Sequence, residues 1–330
     1  LERIGWQLIE WRFSRYPLFW ATVALAGLAL ALLTPVDYEL TVHLSAYDIE
    51  LFNSFMNESL FEGDRLGAGD ISTIFQIAVL FFYLYAWLNP RGSSRIVKWR
   101  PQLGLIVAVS LIYNVFLVHG LKFVVGRARP ELVLEGGARF SNWFEFGAHF
   151  LALEGSVGSL PSGHTASALI FLTLAYCMAG DSSHSRLIRR AGWLLGGAAL
   201  LYAGFMATVR CLTLYHWPTD CLISVILGCL VIHFLYFWVL RIPEQSAYQR
   251  THDAPPPLPK IWELRLCWRL FVVSAGLVAA ISGARGVFLE GAPELTLLLV
   301  PGIFLALALF RSPLAIRPGC LVPEETATTP

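Results

Sequence analysis

Residues 210–240 read Arg210-Cys-Leu-Thr-Leu-Tyr-His216-Trp-Pro218-Thr-Asp220, followed without a break by CLISVILGCLVIHFLYFWVL. The second part holds no Asp, Glu, Lys or Arg, and its length matches the roughly 20 apolar residues that carry a helix across a bilayer. Pro218 suits the first turn of that helix, where its missing N–H costs nothing. An arginine, a histidine and an aspartate therefore gather at one end of a membrane span, where charge is kept only for a reason.

The rest of the chain repeats this pattern. Of its 330 residues 56% are hydrophobic and 14% charged, against about 25% charged in soluble domains, and the mean hydropathy is +0.61. The apolar residues form roughly eight blocks, at about 18–36, 71–89, 102–121, 164–180, 191–209, 218–240, 268–284 and 294–310. The last two are interrupted by Gly283, Arg285, Gly286 and Pro293. The expected fold is an all-α polytopic membrane bundle: a six-helix core over 1–240, a Pro-rich extended linker over 241–265, and a C-terminal helix pair with its tail over 266–330. The net charge of +1 gives no reason to expect nucleic acid. The six cysteines fall mostly in apolar segments and form no CxxC pair, so they read as small hydrophobes rather than a disulfide framework. Residues 18–33 lack a convincing cleavage site and read as a retained first span, and the opening at Leu1 as a trimmed or processed start.

Charge sets the orientation. Arg3, Arg12 and Arg15 precede the first block; Arg91, Arg95, Lys98 and Arg100 lie between the second and third; Arg186, Arg189 and Arg190 follow the fourth; Arg241, Arg250, Lys260 and Arg265 follow the sixth. The positive-inside rule makes these connections cytoplasmic, with both termini inside. The connection over 35–70 is acidic, with Arg65 its single basic residue. Two outer connections break the rule: 122–163 contains Lys122, Arg127, Arg129 and Arg139, and 210–217 contains Arg210. Cations kept where orientation disfavours them point to an anionic ligand.

Two further segments carry chemistry. Lys122-Phe-Val-Val-Gly-Arg-Ala-Arg129-Pro130 ends the third block. Lys122 and Arg129 lie about two turns apart on one face, and Pro130 should make Arg129 extended and end the helix. Snorkelling to the interface is the plainer reading of these cations. Pro161-Ser162-Gly163-His164 opens the fourth block; Ser162 or Gly163 sits where a helix cap belongs, so the first N–H groups form a ready anion site. An ordinary cap beside an interfacial histidine is the plainer reading there. In the third segment Asp220 follows His216 by four positions, near enough to orient the imidazole. Three cations, two histidines, a carboxylate and a helix N-terminus at one side of the membrane suit phosphoryl transfer. No carboxylate cluster or Cys/His set suggests a required metal.

These segments resemble the three signatures of the type-2 phosphatidic acid phosphatase superfamily, K-x6-RP, PSGH and SR-x5-H-x3-D. They match at Lys122…Arg129-Pro130, Pro161–His164 and Arg210…His216…Asp220, over a core of about 18–240. One departure is Val209, where the family usually has Ser; Thr208 is one position off. The resemblance implies His216 as nucleophile of a phosphohistidine, Asp220 holding its ring, and His164 protonating the leaving oxygen. It implies Lys122, Arg129, Ser162, Gly163 and Arg210 as the phosphate cradle, with no cofactor. Arg127 would support the first motif without touching phosphate. Among the other histidines, a packed His119, a His233 away from the site and a loop His43 are expected.

The connection 131–160 is aromatic, and Trp143 and Phe144 are candidates for a lid that admits substrate sideways from lipid. The implied substrate is a membrane lipid phosphate: a polyprenyl pyrophosphate, phosphatidylglycerol phosphate, phosphatidic acid or lipid A phosphate. The implied place is a bacterial-type inner membrane with the site on the periplasmic side. A lipid-to-lipid phosphotransferase would use the same site. A haloperoxidase shares the cradle but is soluble, and a transporter or scaffold would not need every catalytic position filled. The C-terminal pair would support a homodimer, widen lipid entry or anchor the tail.

Overall fold

The computed structural model describes residues 17–47, 50, 66–67, 69–89, 95–150, 158–181, 184–252, 258–259 and 261–310. Arg3, Arg12, Arg15 and Arg91 lie outside the described residues. So do Asp48, Glu58, Glu62, Asp64 and Arg65 of the acidic connection, Pro255, Pro256, Pro257, Lys260, and the tail from Arg311 on.

Among the described residues every regular element is a helix. We label the main ones α1 (Pro17–Leu33), α2 (Asp37–Leu44), α3 (Asp70–Leu88), α4 (100–125), α5 (Gly163–Ala179), α6 (Arg186–Leu212), α7 (Pro218–Val239), α8 (Ile242–His252), α9 (Trp262–Phe288) and α10 (Thr296–Phe310). Among the described residues six apolar helices are long enough to cross a membrane: Val23–Leu44, Asp70–Leu88, Arg100–Leu134, Arg186–Leu212, Pro218–Val239 and Trp262–Phe288. Gly163–Ala179 and Pro293–Leu307 are shorter apolar helices. The all-α membrane bundle expected from the sequence is the fold found.

Apolar residues fill the core and also cover much of the outer surface. Leu25, Leu28, Phe81, Leu194, Leu201 and Phe304 are exposed, as suits faces whose solvent is hydrocarbon. The core gathers around α5, whose Thr165, Ala166, Ala168, Leu169, Ile170 and Thr173 are buried. Close approach of α6 depends on glycine: a Cβ on Gly192 would lie 2.8–3.0 Å from Met178 and Ala179 of α5.

Local chemistry ends the helices where the sequence says they should. Gly126 takes the left-handed conformation (φ +62°) and its N–H donates to the Lys122 carbonyl at 3.0 Å, closing α4. Arg129 is extended (φ −70°, ψ 152°) ahead of Pro130. Ser162 caps α5, its Oγ accepting from the Thr165 N–H at 3.5 Å. Asp220 turns back to accept the Trp217 N–H at 3.0 Å, capping α7.

Part of the segment expected to be an extended linker is helical, while residues 258–259 carry no regular structure. Residues 242–252 form α8, and its polar side chains find partners on the core. Gln245 donates to the Leu240 carbonyl at 2.6 Å, Gln102 of α4 donates to Ser246 at 3.1 Å, and Arg250 pairs with Asp181 at 2.7 Å. The proline run behind that expectation, Pro255, Pro256 and Pro257, lies outside the described residues. Glu263, at the start of α9, is buried and accepts from the Tyr83 hydroxyl at 2.8 Å, so the C-terminal pair is docked on the core.

Small residues seat α10 on α9. A Cβ on Gly302 would lie 2.5 Å from the Ala280 nitrogen and 2.7 Å from the Gly276 carbonyl oxygen, a close backbone approach of the kind small residues allow in membranes. Gly302→Val should therefore destabilise the pair by about 1–3 kcal/mol, the usual cost of overpacking. An unchanged thermal unfolding midpoint in detergent would contradict the packing.

Candidate active site

The end of α4, the start of α5, the end of α6 and the start of α7 meet at one end of the bundle, and each brings its motif. His216 lies in the turn between α6 and α7, 2% exposed. Its Nδ1 donates to the Ser159 carbonyl at 2.6 Å. A carbonyl only accepts, so Nδ1 carries the proton and Nε2 keeps its lone pair. Burial pushes the imidazole well below the ordinary histidine range, and the positive charges of Lys122, Arg210 and Arg129 push it further. A neutral imidazole with a fixed tautomer under the influence of three cations has the chemistry a nucleophile toward an anion needs.

His164, at the first turn of α5, lies against Arg210, whose Nη2 is 2.6 Å from Nε2 and 2.7 Å from Nδ1. Arg210 and Arg129 both stack on Tyr215, with guanidinium carbons 4.8 and 5.0 Å from the ring centroid. Nε of Arg129 is buried and has no hydrogen-bond partner among the described residues, an arrangement suited to a ligand that brings its own acceptor. Ser162 is buried, and a Cβ added to Gly163 would meet Val118 Cγ1 at 3.9 Å, an ordinary contact. The chain also crosses Lys122 closely: a Cβ on Gly158 would lie 3.0 Å from Lys122 Cβ. The structure brings His164, Arg210, Arg129, Lys122, Ser162, Gly163 and His216 to the same end of the bundle.

Asp220 differs from expectation. Its Oδ2 is 3.9 Å from His216 Nδ1, beyond hydrogen-bond reach, and the ring is held by Ser159 instead. The carboxylate serves Arg127, whose Nη1 donates to Asp220 Oδ1 at 2.5 Å and to Thr219 Oγ1 at 2.9 Å. Nη2 of Arg127 donates to Asp37 Oδ2 at 2.8 Å, and Nε donates to the Ser141 carbonyl at 2.8 Å. Asp37 in turn accepts from the N–H and hydroxyl of Thr219 at 3.1 and 2.6 Å. Arg127, Asp37 and Asp220 are all buried. The Arg127 carbonyl accepts the Ser159 N–H at 2.8 Å, so one residue holds both Asp220 and the strand of chain that orients His216.

Trp143 donates from Nε1 to Thr34 Oγ1 at 2.9 Å, and Phe144 packs edge-on against it while staying exposed. These contacts tie the pair to the end of α1. Phe140 reaches beneath the third motif, 4.8 Å from the Trp217 ring. Residues 151–157 of this connection lie outside the described residues. Val209, in place of the usual serine, is buried, while the Thr208 hydroxyl donates to the Gly204 carbonyl at 2.9 Å on an exposed face and so does not substitute for it. His119 is exposed rather than packed, His43 is exposed on helix α2 rather than in a loop, and His233 bonds Tyr176 at 3.1 Å on the far half of α7. Among the described residues, no group of three or more His, Cys, Asp or Glu could hold a metal ion.

Residues 103–244 match the family model described as the PAP2 superfamily. That segment belongs to the PAP2 superfamily. The superfamily generally has phosphatase activity. Its boundaries enclose α4 from near its start through α7, and with them all three motifs. No curated protein and no solved structure matches the chain. Asp37 and Arg285 both lie outside the PAP2 segment.

Replacing one partner of a buried ion network leaves the others charged without compensation. Arg127→Met should cost about 3–5 kcal/mol of stability for that reason. Chemical or thermal unfolding of the purified variant checks this, and a loss under 1 kcal/mol, the range of exposed pairs, would show that the network is not shut off from solvent.

Proposed function

We propose that the protein is an integral membrane lipid phosphatase working through a phosphohistidine. The observation that carries this reading is the His216 ring, with its proton fixed on Nδ1 and three cations acting on it. His164 takes up a proton from water as the anionic phosphate binds; Nε2 of His216 attacks phosphorus as the bond to the lipid oxygen breaks, and His164 gives that oxygen its proton. Water then attacks phosphorus, His164 takes a proton from it, the P–N bond breaks and inorganic phosphate leaves. Lys122, Arg129 and Arg210, with Ser162 and the Gly163 N–H, hold the phosphate oxygens and stabilise the charge that grows in the transition state. A bound phosphate competes with the His164 ring for the Arg210 donors, which frees His164 for proton transfer. Asp220 acts through Arg127 and the Trp217 backbone rather than on the imidazole.

The substrate is a lipid carrying a phosphomonoester or pyrophosphate. Exposed apolar helix faces and a polar site at the helix ends support this, because a lipid presents its headgroup at that depth. The basic connections support a bacterial-type inner membrane, cytoplasmic termini and a site on the periplasmic side.

The test is a phosphate-release panel on purified protein with polyprenyl pyrophosphate, phosphatidylglycerol phosphate, phosphatidic acid and lipid A. Release should occur on at least one of them, persist in EDTA and disappear in His216→Ala. Undiminished release by His216→Ala would sink the mechanism, and label passing to a second lipid instead of water would make the protein a phosphotransferase.

The depressed imidazole also sets a pH dependence. His216 attacks only when neutral, and burial with nearby cations favours the neutral form. The acid limb of kcat/KM due to His216 therefore lies well below the ordinary value of about 6.5. Lys122→Met removes one of those charges, so the limb on its residual activity should move to higher pH. A limb that stays put, or moves down, contradicts the electrostatic assignment.

A further inference from the structure

We infer that Arg285, in the helix pair beyond the PAP2 segment, is a positioning residue of the phosphate site, an inference that rests on the phosphatase reading. Arg285 lies in the last turn of α9 and is 5% exposed. Its Nη1 donates to the carbonyls of Val124 and Val125, both at 3.0 Å. Nη2 donates to the Gly147 carbonyl at 2.5 Å and meets Glu290 Oε1 at 2.9 Å, and Nε donates to the same Glu290 oxygen at 2.9 Å. A guanidinium has five N–H groups, and these contacts use each of them. The flat faces of the group are covered too, with Phe150 at 4.3 Å and Phe146 at 4.8 Å from the guanidinium carbon.

The targets of this fork are the reason for the assignment. Val124 and Val125 are the last residues of α4, where helix carbonyls have no partner within the helix and the dipole favours a cation. They stand directly between Lys122 and the left-handed Gly126 that starts the Arg127–Arg129 turn. The Val125 carbonyl also accepts the Gly147 N–H at 2.8 Å, and the Gly126 carbonyl accepts the His149 N–H at 3.0 Å. Arg285 thus clamps the α4 turn and the 146–150 loop to each other from outside. Lys122 of the cradle stands just before that turn, and Arg127, which holds Asp220, and Arg129 of the cradle stand just after it. A snorkelling arginine would aim its head at water, whereas this one aims at backbone on two other segments. A lysine has no planar fork and cannot reproduce the set.

The experiment uses the full chain in detergent with p-nitrophenyl phosphate, a soluble ester that needs no lipid entry, comparing wild type, Arg285→Lys and Arg285→Met. Small displacements of a positioned group cost up to about 100-fold in rate. We expect kcat to fall at least about tenfold in Arg285→Met and less in Arg285→Lys. Amide exchange over residues 118–129 should quicken in both while residues 163–179 stay protected. A helix anchor alone would loosen residues 262–310 but leave kcat and the 118–129 exchange as in wild type, and that result overturns the inference. Should wild type release phosphate from no ester, the phosphatase reading fails instead. Unchanged 118–129 exchange in Arg285→Met then still overturns the clamp.

Discussion

Arg127 carries a full positive charge into a place closed to solvent, and desolvating such a group costs several kcal/mol unless opposite charge and hydrogen bonds meet it there. Two carboxylates do so, Asp37 from the first part of the chain and Asp220 from the start of α7. Thr219 supplies a hydroxyl that accepts from Arg127 and donates to Asp37. The triad is stable only when three distant stretches arrive together, so it fixes where α2, the α4 exit and the α7 entrance lie relative to one another. The exit of α4 delivers Lys122 and Arg129, and the entrance of α7 delivers His216. The three motifs share one end of the bundle under that single constraint.

The same residue reaches His216 by a second route through the backbone. Its carbonyl holds the Ser159 N–H, and the Ser159 carbonyl holds His216 Nδ1. Side chain and main chain of one arginine therefore act on Asp220 and, through Ser159, on His216. A neutral imidazole with a directed lone pair needs such rigidity, because the cations around it would otherwise draw loops and water into the space between them.

Much of this was legible. Pro130, Ser162 and Pro218 are residues whose backbone geometry is nearly set by their own covalent structure or capping chemistry, and each ends or begins a helix as read. The apolar blocks were equally plain, since hydrocarbon imposes a length. Less was available for the contacts that orient the site. Four-residue spacing suggested Asp220 beside the His216 ring, but that rule belongs to residues within one helix, and His216 precedes α7 while Asp220 caps it. Ser159 acts through a carbonyl, which every residue has, so nothing in its identity marks it. Asp37 stood in an acidic connection where its partner 90 positions away was invisible. Arg127 stood inside the first motif, yet the sequence suggested only support. In α8, nothing in the sequence marked the side chains that hydrogen-bond to the core.

Helix α9 carries one buried charge near each end, Glu263 against Tyr83 and Arg285 against the α4 terminus. At 1.5 Å per residue they stand roughly 33 Å apart along the axis, close to the hydrocarbon thickness of about 30 Å. A helix inserted with both charges facing lipid is penalised at either end, and sliding by a turn in either direction would withdraw both from their partners. Depth, tilt and rotation of the helix are thereby keyed at two points, as a bolt is located by pins, and α10 inherits that alignment by packing on it.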